Sequence, residues 1–92
     1  MDVQEKIALE RAISKVRGEV YLFGSRLKPN LRGGDIDVLI FSDRDPYLLT
    51  KRVSTTFFTY CEEKVDVIVM NPKKMTVEQK AFVSTLELER LK

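Results

Sequence analysis

Two apolar runs joined by a short polar loop constrain this chain more than any other feature. Leu22-Phe23-Gly24-Ser25-Arg26 closes the first, and Asp35-Ile36-Asp37-Val38-Leu39-Ile40 opens the second. Alternate side chains of a strand share a face, so Asp35 and Asp37 project side by side. Ile36, Val38 and Ile40 take the opposite face, and Leu39 and Phe41 continue beyond the aspartates. A strand that is apolar on both faces must be covered on both sides or lie centrally in a sheet. Two neighbouring carboxylates in such a strand repel each other and lose hydration. A hard cation such as Mg²⁺ removes that conflict, because it takes carboxylate oxygen and keeps waters that a phosphate can replace. The plain alternative is a pair of solvated loop acids.

The rest of the chain alternates helix and strand patterns. Residues 2–17 read as a helix with Ala8, Leu9, Ala12, Ile13 and Val16 on one face, Asp2 at its start and Gly18 as its stop. Val3 and Ile7 lie off that stripe. Residues 19–23 form a short strand, Ser25 to about Lys28 a helical turn ended by Pro29-Asn30, and Arg32-Gly33-Gly34 a loop. Residues 35–41 are the second strand. Asp45 as N-cap and Pro46 at the first helical position open a helix over 46–60, with Leu49, Val53, Phe57 and Tyr60 as its buried stripe. Tyr47 and Phe58 point elsewhere. Residues 64–70 are the third strand, and 76–91 read as a last helix with Thr76 as N-cap and Glu78 or Gln79 in its first turn. That helix would be apolar on two sides, with Val77, Ala81, Leu88 and Leu91 on one and Phe82 and Leu86 on the other. The second side then calls for a partner chain, a second copy or a helical protein, or for closure over the sheet.

Ninety-two residues are expected to form one domain, residues 1–92, that buries roughly 60–65% of its unfolded surface. Net charge is +2, and residues 1–46 carry eight basic and eight acidic side chains against eight and six in 47–92. No basic stripe is evident, so no nucleic acid is expected as a partner. The absence of histidine excludes Ser-His catalysis and His-ligated zinc. Cys61 is the one cysteine, so no intrachain disulfide can form, and it reads as a small core filler. With no signal peptide and no apolar run near eighteen residues, the expectation is a cytoplasmic protein with no membrane contact.

Gly24-Ser25, then Asp35-x-Asp37 in a strand, then Asp66 within Val65-Asp66-Val67-Ile68-Val69, resembles the DNA polymerase β-type nucleotidyltransferase superfamily. The wording Phe-Gly-Ser-Arg … Arg-Gly-Gly-Asp-Ile-Asp-Val-Leu and the short length are similar to its minimal nucleotidyltransferases, many of them antitoxins encoded beside a helical toxin of the HEPN class. The resemblance covers about residues 19 to 70 directly. It implies an α/β fold, a small mixed sheet with helices packed mainly on one face. It implies Mg²⁺, two ions, held by Asp35, Asp37 and Asp66, with Asp66 also helping to deprotonate the acceptor. It implies ATP as the nucleoside triphosphate, cradled by Gly24 and Ser25 and steadied by Arg26.

The resemblance further implies transfer of AMP to a hydroxyl, a tyrosine of a cognate HEPN toxin, as an antitoxin activity. Two other readings stand beside it: an antitoxin that neutralises by docking alone, and a subunit that acts on a small hydroxylated molecule. Residue by residue, plainer readings also stand. Gly24-Ser25 can be an ordinary strand-to-helix cap, where Gly admits a close backbone and Ser caps. Arg26 can lie on the helix surface. Asp66 can be a strand-edge acid paired with Lys64 or an arginine.

Overall fold

The computed structural model describes residues 1–24 and 36–92. Ser25, Arg26 and Asp35 lie outside the described residues, as do the helical turn expected at 25–28 and the loop at 32–34. The elements in chain order are α1 (Val3–Ile13), β1 (Glu19–Phe23), β2 (Ile36–Phe41), α2 (Pro46–Tyr60), β3 (Val65–Met70), α3 (Val77–Ser84) and β4 (Glu89–Arg90). The strands form one sheet in the order β3-β2-β1-β4. β2 and β3 run parallel, joined through α2, while β1 pairs antiparallel with both β2 and β4. This is the small mixed α/β sheet that the sequence leads one to expect.

Local chemistry starts each helix where the residues require it. The Asp2 carboxylate accepts from the Glu5 N–H at 2.8 Å, and the Glu5 carboxylate accepts from the Asp2 N–H at 3.0 Å. This reciprocal box satisfies two donors that the first turn of a helix cannot bond internally. It also accounts for Glu5, which is buried although charged. Asp45 Oδ1 accepts from the Tyr47 and Leu48 N–H groups, with Pro46 at the position where a missing N–H costs nothing. Thr76 and Gln79 repeat the reciprocal box at α3.

Both faces of the sheet are covered. α1 and α2 share one face, where Ala8, Leu9, Ala12, Ile13 and Val16 meet Ile36, Val38, Ile40, Val53 and Phe57. The other face carries a smaller cluster, in which Phe23, Leu39 and Met70 pack with Met75, Val83, Leu86 and Leu88 from the α3 region. Val38, Leu39 and Ile40 are fully buried, as a central strand that is apolar on both sides must be. Helices therefore lie mainly, but not only, on one side. Gly18 enters β1 at φ +127°, and a Cβ there would strike the Phe41 carbonyl.

Three expectations are corrected. The first helix does not run to residue 17 with Gly18 as its stop; it spans Val3–Ile13, and Ser14 is its C-cap. Tyr60 is not in the α2 stripe; it is 46% exposed, at the end of the helix, with the Arg11 guanidinium 5.7 Å above its ring. The last helix does not run from 76 to 91. It stops at Ser84, because the Ser84 and Thr85 hydroxyls donate back to the Ala81 and Phe82 carbonyls, each at 2.7 Å, and compete with helix propagation. The chain then turns into β4, where the Leu91 N–H donates to the Val20 carbonyl at 2.7 Å and the Val20 N–H to the Lys92 carbonyl at 3.0 Å. Leu86 and Leu88 reach the α3 face and Leu91 the α1/α2 face, so these leucines are used within the chain. Among the described residues no helix is long and apolar enough to cross a membrane.

Candidate functional site

The candidate residues that the structure describes converge at one end of the sheet. Gly24 follows the last residue of β1, and Asp37 and Asp66 are each second in their strands. Asp37 and Asp66 are register partners across the parallel β2–β3 pair. Opposite residues on neighbouring strands lie about 5 Å apart and point to the same side. Asp37 shares its side with Leu39 and Phe41, and Asp66 shares its side with Ile68 and Met70. Both carboxylates therefore stand on the α3 face of the sheet, away from α1 and α2.

Gly24 has a role here that differs from a general need for backbone access. Its φ is +85°, in the region that favours glycine. A Cβ on Gly24 would run into Asp37 Oδ2 and come within 3.2 Å of Asp37 Cγ. The Asp37 carboxyl thus rests against the bare backbone of the turn that ends β1. The β1–β2 register pairs Phe23 with Asp37, which places the carboxylate beside that turn. Phe23 in turn meets the ring of Phe82 from α3 edge-to-face, at 6.4 Å between centroids. An apolar wall made by these two rings therefore borders the site.

Asp66 is less buried than its position between Val65 and Val67 suggests. Its strand is the sheet edge, its side chain is 43% exposed, and Oδ1 lies 3.7 Å from Lys64 Nζ. An exposed pair of that length contributes little to stability. The cost of burying a lone charge therefore does not argue for a cation at Asp66; the argument rests on its register with Asp37. Two carboxylates on one face are a suitable oxygen donor set for a hard divalent cation, and the bare backbone of Gly24 leaves room for the Asp37 carboxyl, which a Cβ would displace. Asp35, Ser25 and Arg26 lie outside the described residues, and among the described residues no group of three acidic or sulfur ligands comes together.

Elsewhere, Cys61 is buried, and its thiol is held above its ordinary range by desolvation first and then by the nearby carboxylates of Glu63, Glu5 and Asp2. It behaves as the core filler that its neighbours in the sequence suggest. Sequence reasoning missed a grouping of basic side chains at the opposite end of the sheet. Lys15, Arg17, Arg44 and Arg52 line one cleft of about 500 Å³, although they are scattered along the chain.

The fold and the paired carboxylates define an α/β domain with acidic groups gathered at the end of a mixed sheet, beside a glycine turn. A model of the nucleotidyltransferase domain family matches residues 5–90, and the chain belongs to that family. Its general activity is nucleotidyl transfer. The match runs from within α1 to the end of β4. No curated protein matches the sequence.

Proposed function

We propose that this domain transfers AMP from ATP to a hydroxyl on a second protein, a tyrosine of a helical HEPN-type toxin, and thereby acts as its antitoxin. The observation that carries the reading is the register of Asp37 with Asp66 on one face, beside the Gly24 turn, in a chain of the nucleotidyltransferase family. Asp37 and Asp66, with Asp35, would hold Mg²⁺. When bound, that ion offsets the charge of the triphosphate and lowers the pKa of the attacking hydroxyl.

The chain's own residues account for the remaining roles. Gly24 and Ser25 receive the β- and γ-phosphates on backbone N–H groups and the serine hydroxyl. Asp66, half-exposed on the edge strand, accepts the proton of the acceptor hydroxyl. The acceptor oxygen forms a bond to the α-phosphorus as the bond from that phosphorus to the bridging oxygen breaks, and pyrophosphate leaves. The acceptor hydroxyl arrives on the partner protein, in line with the α-phosphate and the departing pyrophosphate.

Incubation with ATP labelled at the α-phosphate, Mg²⁺ and the product of the adjacent gene tests the reading. Label should move to a tyrosine of the neighbour and should depend on Ser25, Asp35, Asp37 and Asp66. Movement of a γ-label instead would make the activity kinase-like and overturn the assignment. A second reading, neutralisation by docking without transfer, draws on the exposed Tyr47, Leu48 and Phe58 of α2. Tight binding of the neighbour with no label transferred would favour it.

A further inference from the structure

The end of the sheet opposite the carboxylates carries a second feature. Lys15 and Arg17 follow α1, Arg44 lies in the turn after β2, and Arg52 stands on α2; together they line one cleft of about 500 Å³. Lys15 and Arg52 also line the adjoining cleft, with Arg11 and Tyr60. The two clefts share Lys15 and Arg52, and the groove they make beside α1 and α2 has five cations among its described lining residues. Among the described residues Asp45 is the one acid lining it, and its Oδ1 accepts two backbone N–H bonds as the α2 cap. None of the five cations is in an ion pair with a described residue. From Asp37 to Ser42, which lines the larger cleft, the strand rises about 16 Å, so the groove is separate from the candidate transfer site.

Five cations with Asp45 as the one acid among the described lining residues leave a net positive groove, and a polyanion relieves the repulsion among them. Four of the five are arginines, whose planar fork matches phosphate oxygens two at a time. A protein interface is more often centred on apolar side chains, and among the described residues Leu48 is the only large exposed apolar side chain lining the larger cleft. Tyr60, 46% exposed at the far end, places an aromatic ring beside the cations, with the Arg11 guanidinium 5.7 Å over one face of it. A cationic groove with an aromatic ring along it is the surface by which a single-stranded nucleic acid is held through its phosphates and a stacked base. We propose that the groove between α1 and α2 binds single-stranded nucleic acid without sequence preference, at a site distinct from the one at Asp37 and Asp66. This departs from the expectation drawn from the linear sequence, where no basic stripe is visible.

Fluorescence anisotropy of a labelled oligouridylate with the intact protein, over a range of salt, tests the proposal. Five phosphate contacts predict a slope of log K against log salt of about −3.5, at roughly 0.7 per contact. The double variant Arg44→Gln/Arg52→Gln should reduce the slope to about −2 and weaken binding at least about tenfold at low salt. Both side chains are exposed, so circular dichroism should show the variant folded, and Tyr60→Ala should weaken binding without changing the slope. Three results would overturn the proposal: no binding at low salt, equal binding by the wild type and the double variant, or displacement of the oligomer by polyglutamate of equal charge as readily as by unlabelled oligouridylate. The last would assign the groove to an acidic protein instead.

Discussion

Gly24 and Asp37 form the most constrained contact at the candidate site, because a carboxylate occupies the space where any other residue would carry a Cβ. Gly24→Ala should destabilise the fold by about 1–3 kcal/mol, from the positive φ together with the collision. Part of that loss should be recovered in a Gly24→Ala/Asp37→Ala double variant, since the alanine removes Oδ2 and Cγ but leaves the φ strain. Urea unfolding of the two single variants and the double variant measures the coupling, and simple additivity would show that the collision is relieved by other means. Asp66→Asn tests the opposite case. Its pairing with Lys64 is exposed, so stability should change by no more than about 0.5 kcal/mol, while transfer to the acceptor should be lost. The Cys61 thiol, held protonated by burial and neighbouring carboxylates, should react with iodoacetamide far more slowly in the folded protein than in denaturant. Its raised pKa also contributes stability that is fully present below the unfolded thiol pKa and is lost as pH rises through the folded value, so alkaline titration should lower the melting temperature in that window.

Among the elements, the starts of helices follow directly from their first residues, whereas the ends of the first and last helices do not. Asp45→Ala should cost about 1 kcal/mol, because it leaves the Tyr47 and Leu48 N–H groups without their acceptor. Helical periodicity carried the reading of α3 past Ser84 because Leu88 and Leu91 fit a 3.6-residue repeat. The competing signals were the Ser84-Thr85 pair, which bonds back to the backbone, and the alternation of Leu86 and Leu88, which fits a strand. The pairing of β4 with β1 predicts cross-strand nuclear Overhauser contacts between Tyr21 and Arg90, which a continuous helix to residue 91 would not show. With Leu86, Leu88 and Leu91 packed inside the chain, the exposed apolar side chains that α2 and α3 offer a partner are Tyr47, Leu48 and Phe58 of α2 and Val77 and Phe82 of α3.

At the scale of the whole molecule, the sheet separates two kinds of chemistry. Acidic groups stand where β1 ends and where β2 and β3 begin, and the basic groove lies beyond the other end of β2, against α1 and α2. On the proposed function, ATP with Mg²⁺ should raise the melting temperature, since a ligand that binds only the native state stabilises it by about 2.7 kcal/mol at a hundredfold excess over Kd. Asp37→Asn should abolish that shift, whereas Arg44→Gln/Arg52→Gln should leave it unchanged. A thermal-shift assay on the three proteins separates the two sites, and no shift for the wild type would count against a working nucleotide site.

The linear sequence determined the helix starts, the first three strands, the two-sided character of β2 and the family, because each depends on residues close together in the chain. Asp2 with Glu5, Asp45 with Pro46, and the alternation from Ile36 to Phe41 are all local patterns, read without knowing what they pack against. Tertiary structure alone decided the register that sets Asp37 against Asp66, the seat of Asp37 on Gly24, and the docking of β4 against β1. It alone gathered Lys15, Arg17, Arg44 and Arg52 from three separate segments. Register and proximity between distant segments arise from burying both faces of one sheet at once, and no window of neighbouring residues contains that condition.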